Sequence, residues 1–190
     1  ITNRLVGSEM CIRDRVTQGK IRYIGCSNLP SWQVVESQWI SKSMGLNRFV
    51  SCQDEYNILN RNVEAELIPA MQKYGCGLLP YFPLASGLLT GKYRRTEMPE
   101  GARLTDMPTF ANRVYLTDEN FDIVDNLNKF AHKTGHSILE LAFGWMASRP
   151  TTASIIAGAT KPEQIDANVT AVNWVLSQSE IDEVDKISAR

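Results

Sequence analysis

GLLPYFPLASGLLTGKY, residues 77–93, changes character partway along its length. Leu78, Leu79 and Tyr81 form a short apolar run of the kind that fills a buried strand. Pro83, Ala85, Ser86 and Gly87 follow at once as a compact loop. Small residues let a backbone approach a ligand closely, and its N–H groups then bind an anion. Lys92, just past Gly91, adds a positive charge. The stretch therefore reads as a strand ending on an aromatic ring beside a phosphate cradle. An ordinary strand and turn with a surface lysine has the same local appearance, so the surrounding chain has to separate the two.

Upstream, the chain repeats one pattern. Arg22 to Gly25 reads as a short strand with Cys26-Ser27-Asn28 as its exit, and Ser31 stands where a cap would open a helix with Trp32, Val35 and Trp39 on its inner face. Arg48 to Gln53 reads as the next strand. Asn62 then reads as the cap of a helix with Val63, Leu67, Met71 and Tyr74 on one side. Tyr23, Phe49 and Leu78 occupy comparable points in the three strands, 26 and 29 residues apart, with one amphipathic helix in each interval. Serial β-α-β of that length requires parallel strands.

Downstream, Arg94 to Leu116 is a polar insertion without a sustained period. Thr117 caps a helix with Phe121, Val124, Leu127 and Ala131 inward, and Ser137 with Glu140 forms a capping box for the next helix, which Pro150 stops. Ala153 to Ala157 is expected to be a fourth strand, Thr160-Lys161-Pro162-Glu163 a further capping box, and Ser179 to Ile187 a last short helix. The fold class is α/β: a partial (β/α)8 TIM barrel, its C-terminal half, with about four parallel strands.

Bulk composition narrows the function classes. The 190 residues are 43% hydrophobic and 22% charged, with a net charge of −1, so there is no general attraction to nucleic acid or acidic lipid. No apolar run reaches the ~20 residues of a membrane span. Cys11, Cys26, Cys52 and Cys76 are widely spaced without a C-x-x-C, which suits reduced thiols in a cytoplasmic enzyme. His132 and His136 have helical metal-ligand spacing, but Gly135 intervenes and no third ligand is evident, so no metal is assigned and both read as solvated.

Ligands of parallel α/β proteins lie at the carboxyl ends of the strands. The exits here are Ser27-Asn28, Gln53, Tyr81 and Gly158-Ala159-Thr160. Three offer amide or hydroxyl groups, the fourth an aromatic ring, and none an acid–base pair. In eightfold barrels a phosphate often sits between the loops after the last two strands and a helix N-terminus, here the Leu84 to Gly91 loop and the Gly158 to Glu163 cap. Taken singly, Ser27-Asn28 also reads as a helix cap and Gln53 as a hydrogen-bonded barrel residue.

GKIRYIGCSN, CQDEYN, LNR, PYFPLASGLLTGKY and GATKPEQIDAN, in this order and at these spacings, resemble the C-terminal half of an aldo-keto reductase, an NAD(P)H-dependent barrel enzyme. The resemblance covers nearly everything after Arg15. It implies that Ser27, Asn28 and Gln53 hold the nicotinamide carboxamide and that Tyr81 stacks on the nicotinamide ring. It further implies that Leu84, Ser86, Gly87 and Lys92 line the pyrophosphate path, and that Arg103, Gly158, Thr160, Gln164 and Asn168 hold the adenosine phosphate end of NADP. Ala167 stands where the family often has an acidic residue, a departure that bears on the adenine contact. The family's catalytic Asp, Tyr, Lys and His come from the first four strands, so no catalytic residue is assigned, and Tyr81 is not the proton donor.

The expected activity of the full-length form is reduction of an aldehyde or ketone, with a small-molecule carbonyl as the partner. The other reading is a nicotinamide-binding regulatory subunit resembling the potassium-channel β subunits, which share the fold. Residues 1–15, ITNRLVGSEMCIRDR, show neither a helical stripe nor a signal-peptide pattern and resemble leaders that recur before unrelated reading frames. They are expected to be a non-native leader, with residues 16–190 the half-barrel.

Overall fold

Alternating short strands and amphipathic helices recur in the computed structural model, which describes residue 12 and residues 14–106 and 114–189. The chain divides into two compact units, one formed by Ile1–Asp54 with Val63–Leu79, the other by Glu55–Asn62 with Pro80–Arg190. The leader assigned to residues 1–15 lies mostly outside the described residues; residues 12 and 14–17 are helical.

The first unit holds a parallel sheet in the order β1 (Ile24–Ser27), β2 (Phe49–Gln53), β3 (Gly77–Leu78). Gly25 faces Ser51 across the first pair, and a Cβ there would come within 3.0 Å of the Ser51 carbonyl oxygen. Glycine is therefore what lets these strands approach. Helices α1 (Ser31–Ser43) and α2 (Leu67–Tyr74) supply the crossovers.

Three expectations fail here. Ser31 is the first residue of α1, not its cap; Pro30 holds the cap position, and the Ser31 hydroxyl donates to Glu66 Oε2 at 2.6 Å. The buried face of α1 is Val34 and Gln38, whereas Trp32 and Trp39 are 61% and 63% exposed. Gln38 earns its burial by donating through Nε2 to the Phe49 carbonyl (2.8 Å) and to Cys76 Sγ (3.1 Å). Asn62 likewise opens a 3₁₀ turn, Asn62–Glu64, and Glu66 is the N-cap of α2, whose Leu67 and Met71 are buried as anticipated.

The second unit contains α3 (Arg103–Asp106), α4 (Asp118–Lys133), α5 (Ile138–Ala147), α6 (Pro162–Ala171) and α7 (Gln178–Ile187). Thr117 accepts from the Asn120 N–H at the start of α4, which buries Phe121, Val124, Leu127 and Ala131. Ser137 and Glu140 form the capping box of α5. Ser177 and Glu180 form a second box at α7, whose box serine lies outside the helix start read from the sequence. The core centres on Trp145, fully buried, with Tyr56 packed 5.3 Å away at a 39° tilt. Asp185 accepts from Trp145 Nε1 (2.8 Å) and Arg61 Nη1 (2.9 Å) and also pairs with Arg149, while both guanidiniums lie over the indole.

Among the described residues the expected four strands are three. Ala153 to Ala157 forms only a single parallel bridge, Tyr81 to Ile156, with the Ile156 N–H donating to the Pro80 carbonyl at 2.9 Å. Pro80 has no N–H to extend a ladder, and Ala153, Ser154 and Ile156 are exposed. His136 also departs from its reading as solvated: it stacks on Trp174 with ring centres 3.9 Å apart and its Nδ1 lies 3.3 Å from Glu140. Among the described residues no group of His, Cys, Asp or Glu is arranged to hold a metal ion, and no helix is long and apolar enough to cross a membrane.

Candidate functional site

In the first unit, the ends of β1 and β2 are tied together by polar side chains. Ser27 Oγ donates to the Gln53 carbonyl at 2.8 Å, Asn28 Nδ2 donates to Ser27 Oγ at 2.9 Å, and the Asn28 N–H reaches the same Gln53 carbonyl at 3.3 Å. Asn28 adopts φ +56°, a conformation asparagine tolerates better than most residues. That turn stops the strand and leaves Ser27 and Asn28 exposed at its tip. Burial pushes the neighbouring Asp54 carboxyl above its usual range, countered by the Asn28 backbone amide. Ser27 and Asn28 thus meet at the backbone carbonyl of Gln53, with Asp54 as an addition the sequence did not single out.

In the second unit, Tyr81 bridges Glu55 on one side and Ile156 on the other. Its ring meets Phe82 edge-on at 5.2 Å. Phe82 itself has φ +52°, unusual for a bulky side chain. Asn57 holds it there: wholly buried, Asn57 donates through Nδ2 to the Phe82 carbonyl (3.0 Å) while its Oδ1 accepts from the backbone of Leu59 and Asn60 (both 2.9 Å). Tyr115 donates to Glu55, and burial, then that hydrogen bond, raises the Tyr115 phenol above its ordinary pKa. Asn57, Glu55 and Tyr115 form the support of Tyr81. Their signal in the sequence was faint, since Tyr115 sits in the irregular insertion and an Asn–carbonyl bond leaves no periodic trace.

The loop after Tyr81 is wound in an unusual way. Ala85, Ser86 and Gly87 have φ of +47°, +56° and +101°, and Gly91 has φ +76°. The Ala85 N–H donates to the Phe82 carbonyl at 2.9 Å, which closes the first turn of this winding. Leu84 anchors the winding, its carbonyl accepting from Gly87 (2.8 Å) and Leu89 (3.2 Å). A Cβ on Gly87 would lie 3.2 Å from Lys92 Cε and 3.4 Å from Lys92 Nζ, so the missing side chain is the space in which the ammonium rests. Arg103 opens α3 and places its guanidinium 5.2 Å over the Phe82 ring. The structure thus brings Tyr81, Leu84, Ser86, Gly87, Lys92 and Arg103 to one loop.

At α6 the outcome is mixed. Gln164 Oε1 accepts from the Thr160 N–H at 2.7 Å and from Thr160 Oγ1 at 3.2 Å, binding the turn after Gly158 to the helix. The capping box read at Thr160 to Glu163 is absent: Lys161 is the N-cap and no side chain caps it. Asn168, one turn on, lines an apolar cleft with Phe143, Ile155, Ile165 and Val169.

In the second unit, then, a left-handed loop with Lys92 at its notch and Arg103 over Phe82 follows an aromatic strand end. The chain matches the Aldo/keto reductase family over residues 9–189, and it belongs to that family. It is 37% identical over 178 residues to a "Probable voltage-gated potassium channel subunit beta" of Oryza sativa subsp. japonica, covering 92% of this chain and 53% of that protein. To the "NADH-specific methylglyoxal reductase" of Escherichia coli (strain K12) it is 33% identical over 168 residues, 86% of this chain and 48% of the relative. To "Protein tas" of the same organism it is 32% identical over 169 residues, 89% and 48%. The chain spans about half the length of the curated relatives it matches. The family's fold is the TIM barrel, and its members are oxidoreductases that use nicotinamide cofactors.

Proposed function

We propose that this chain is the cofactor-binding half of an aldo-keto reductase that reduces an aldehyde or ketone with NADPH. The observation that carries the reading is the loop 84–92, whose left-handed backbone and Gly87 notch seat the Lys92 ammonium against the loop, where it would meet a pyrophosphate. Lys92 and Arg103 supply charge to the phosphates, Leu84, Ser86 and Gly87 supply the cradle, and Gly158, Thr160, Gln164 and Asn168 are assigned to the adenosine phosphate end. Tyr81 offers the ring for stacking. In the first unit, Ser27, Asn28 and Gln53 are assigned to the carboxamide. The cofactor supplies the hydride; these residues bind and orient it. None of them is assigned proton transfer, so this chain alone is expected to give no carbonyl turnover. Three free thiols, Cys26, Cys52 and Cys76, suit a reducing cytoplasm.

Titration of NADPH and of NADH by fluorescence tests the reading. Each charge-assisted contact to phosphate is worth about 1.5–3 kcal/mol. The expected result is at least a tenfold preference for NADPH, reduced by Lys92→Met and by Arg103→Met. Equal affinities would remove the 2′-phosphate assignment; no binding of either would remove the cofactor reading. A second reading, a nicotinamide-binding regulatory subunit, is favoured by the relatives from rice and Arabidopsis thaliana named as probable channel β subunits. Carbonyl-dependent NADPH oxidation by a full-length protein containing this chain, set against its co-purification with a voltage-gated potassium channel, separates the two.

A further inference from the structure

Three cysteines of the first unit lie on or beside three neighbouring strands. Cys26 of β1 and Cys52 of β2 are register partners, so their side chains leave the same face of the sheet. Their sulfurs are 3.5 Å apart. Adjacent strands run about 4.7–4.9 Å apart, inside the roughly 4.4–6.8 Å Cα separation a disulfide spans, so closing to a bond of about 2.05 Å needs side-chain rotation without a change of register. Cys52 is fully buried, whereas Cys26 is partly open to solvent. Cys76 is engaged elsewhere, donating to the Phe49 carbonyl at 3.4 Å and accepting from Gln38.

We infer that Cys26 and Cys52 form a redox modification site for hydroperoxides, with Cys26 the attacking thiol and Cys52 the resolving one. The asymmetry of the pair fits these roles. The contact between the two sulfurs holds the Cys26 thiol below its ordinary pKa against opposing effects of burial and Asp54, and together with burial pushes the Cys52 thiol up. Cys26 is also the sulfur that a peroxide reaches from solvent, and its thiolate is the species that reacts.

The chemistry balances. Cys26 thiolate attacks one peroxide oxygen and the O–O bond breaks; the leaving hydroxide takes a proton to become water, and Cys26 becomes a sulfenic acid. Cys52 sulfur then attacks Cys26 sulfur, its proton passing to the departing hydroxyl, which leaves as a second water. The two sulfurs give up one electron each, and the peroxide takes both.

Each cysteine falls on its own tryptic peptide, because Lys or Arg separates Cys11, Cys26, Cys52 and Cys76 from one another. The folded protein is treated with a few equivalents of hydrogen peroxide, then denatured and alkylated without reductant, digested and mapped by mass spectrometry. The expected product links the Cys26 and Cys52 peptides within one chain and is reversed by dithiothreitol. With Cys52→Ser, Cys26 should instead be trapped by dimedone as the sulfenic acid; with Cys26→Ser, Cys52 should remain alkylatable. Cys26 left fully alkylatable after peroxide, a link from Cys52 to Cys76, or links only between chains would each overturn the proposal. The wild-type map decides the matter alone if either variant fails to fold.

Discussion

Gly87 has φ +101°, a backbone conformation that a side chain rarely adopts, and its α-carbon faces Lys92 and the Tyr93 ring. Gly87→Ala therefore meets two obstacles: backbone strain of about 1–3 kcal/mol and a Cβ 3.2 Å from Lys92 Cε. The lysine has to swing out of the notch. The expected outcome is a loss of NADPH affinity of about tenfold or more, beyond any loss of thermal stability, since one charge-assisted phosphate contact goes with it. An unchanged dissociation constant would show that Lys92 does not serve the cradle.

Asp185 makes a different kind of residue-scale case. One carboxylate holds the Trp145 indole N–H and two arginines that themselves cover the ring. The acid and both guanidiniums remain partly exposed, so solvent screens the pair and the loss is smaller than for a dry ion pair. Asp185→Ala is expected to cost about 2 kcal/mol, most of it from hydrogen bonds to a charged group, as a lower urea midpoint. Sequence periodicity could place Trp145 in the core but had no means of finding Asp185, which is 40 residues away and pairs through a side-chain tip.

At the scale of elements, α4 and α5 were legible because each begins with a side chain that satisfies a free backbone N–H; α4 then continues with one apolar stripe, while α5 is buried on all sides from Leu141 to Met146. Helix α1 was read in the wrong phase. Two tryptophans drew the apolar face toward Trp32 and Trp39, while the face that packs carries Gln38, a polar residue made tolerable by its partners Phe49 and Cys76. Polar burial of that kind is set by tertiary contacts and leaves no period. The fourth strand failed for a related reason: Ala153 to Ala157 has strand-like residues, but beyond Ile156 no backbone partner is bonded to it among the described residues.

The two capping boxes carry a prediction of their own. Hydrogen bonds from the Ser137 backbone and hydroxyl hold Glu140 below its usual 4.5, and the Ser177 hydroxyl and backbone do the same for Glu180. A carboxylate whose folded pKa is depressed contributes stability that is present above its unfolded pKa and lost as pH falls through the folded one. The boxes of α5 and α7 should therefore weaken as pH falls below about 4.5. Both acids are near the surface, so the effect is modest. Glu140→Gln retains a side chain that can reach back to Ser137 without titrating. Its urea midpoint should fall less steeply between pH 5 and pH 3 than that of the parent protein, and an identical slope would assign the acid sensitivity elsewhere.

At the scale of the whole molecule, each unit presents apolar surface to water. In the first, β1 and β3 are the outer strands of the sheet, and Trp32 and Trp39 are exposed. In the second, Ile165, Val169 and Val172 form a stripe along α6 and just past its end, with Val169 64% exposed. Strand edges and apolar stripes both favour association. Each large apolar side chain left wet forgoes about 1.5–3 kcal/mol, a serious fraction of a total stability of about 5–15 kcal/mol. The family's barrel needs mutually consistent strand number, tilt and stagger, which the three strands and isolated bridges among the described residues do not supply. This chain on its own should therefore self-associate with rising concentration and bind an apolar dye. Because the stripe on α6 and the tryptophans of α1 are surface positions, Val169→Lys and Trp39→Glu should reduce both signals with little loss of helix content. Sedimentation velocity over a hundredfold range of concentration, with circular dichroism on the variants, tests this. A chain that stays monomeric and excludes the dye would mean that these surfaces are too small or too dispersed to act as a contiguous patch.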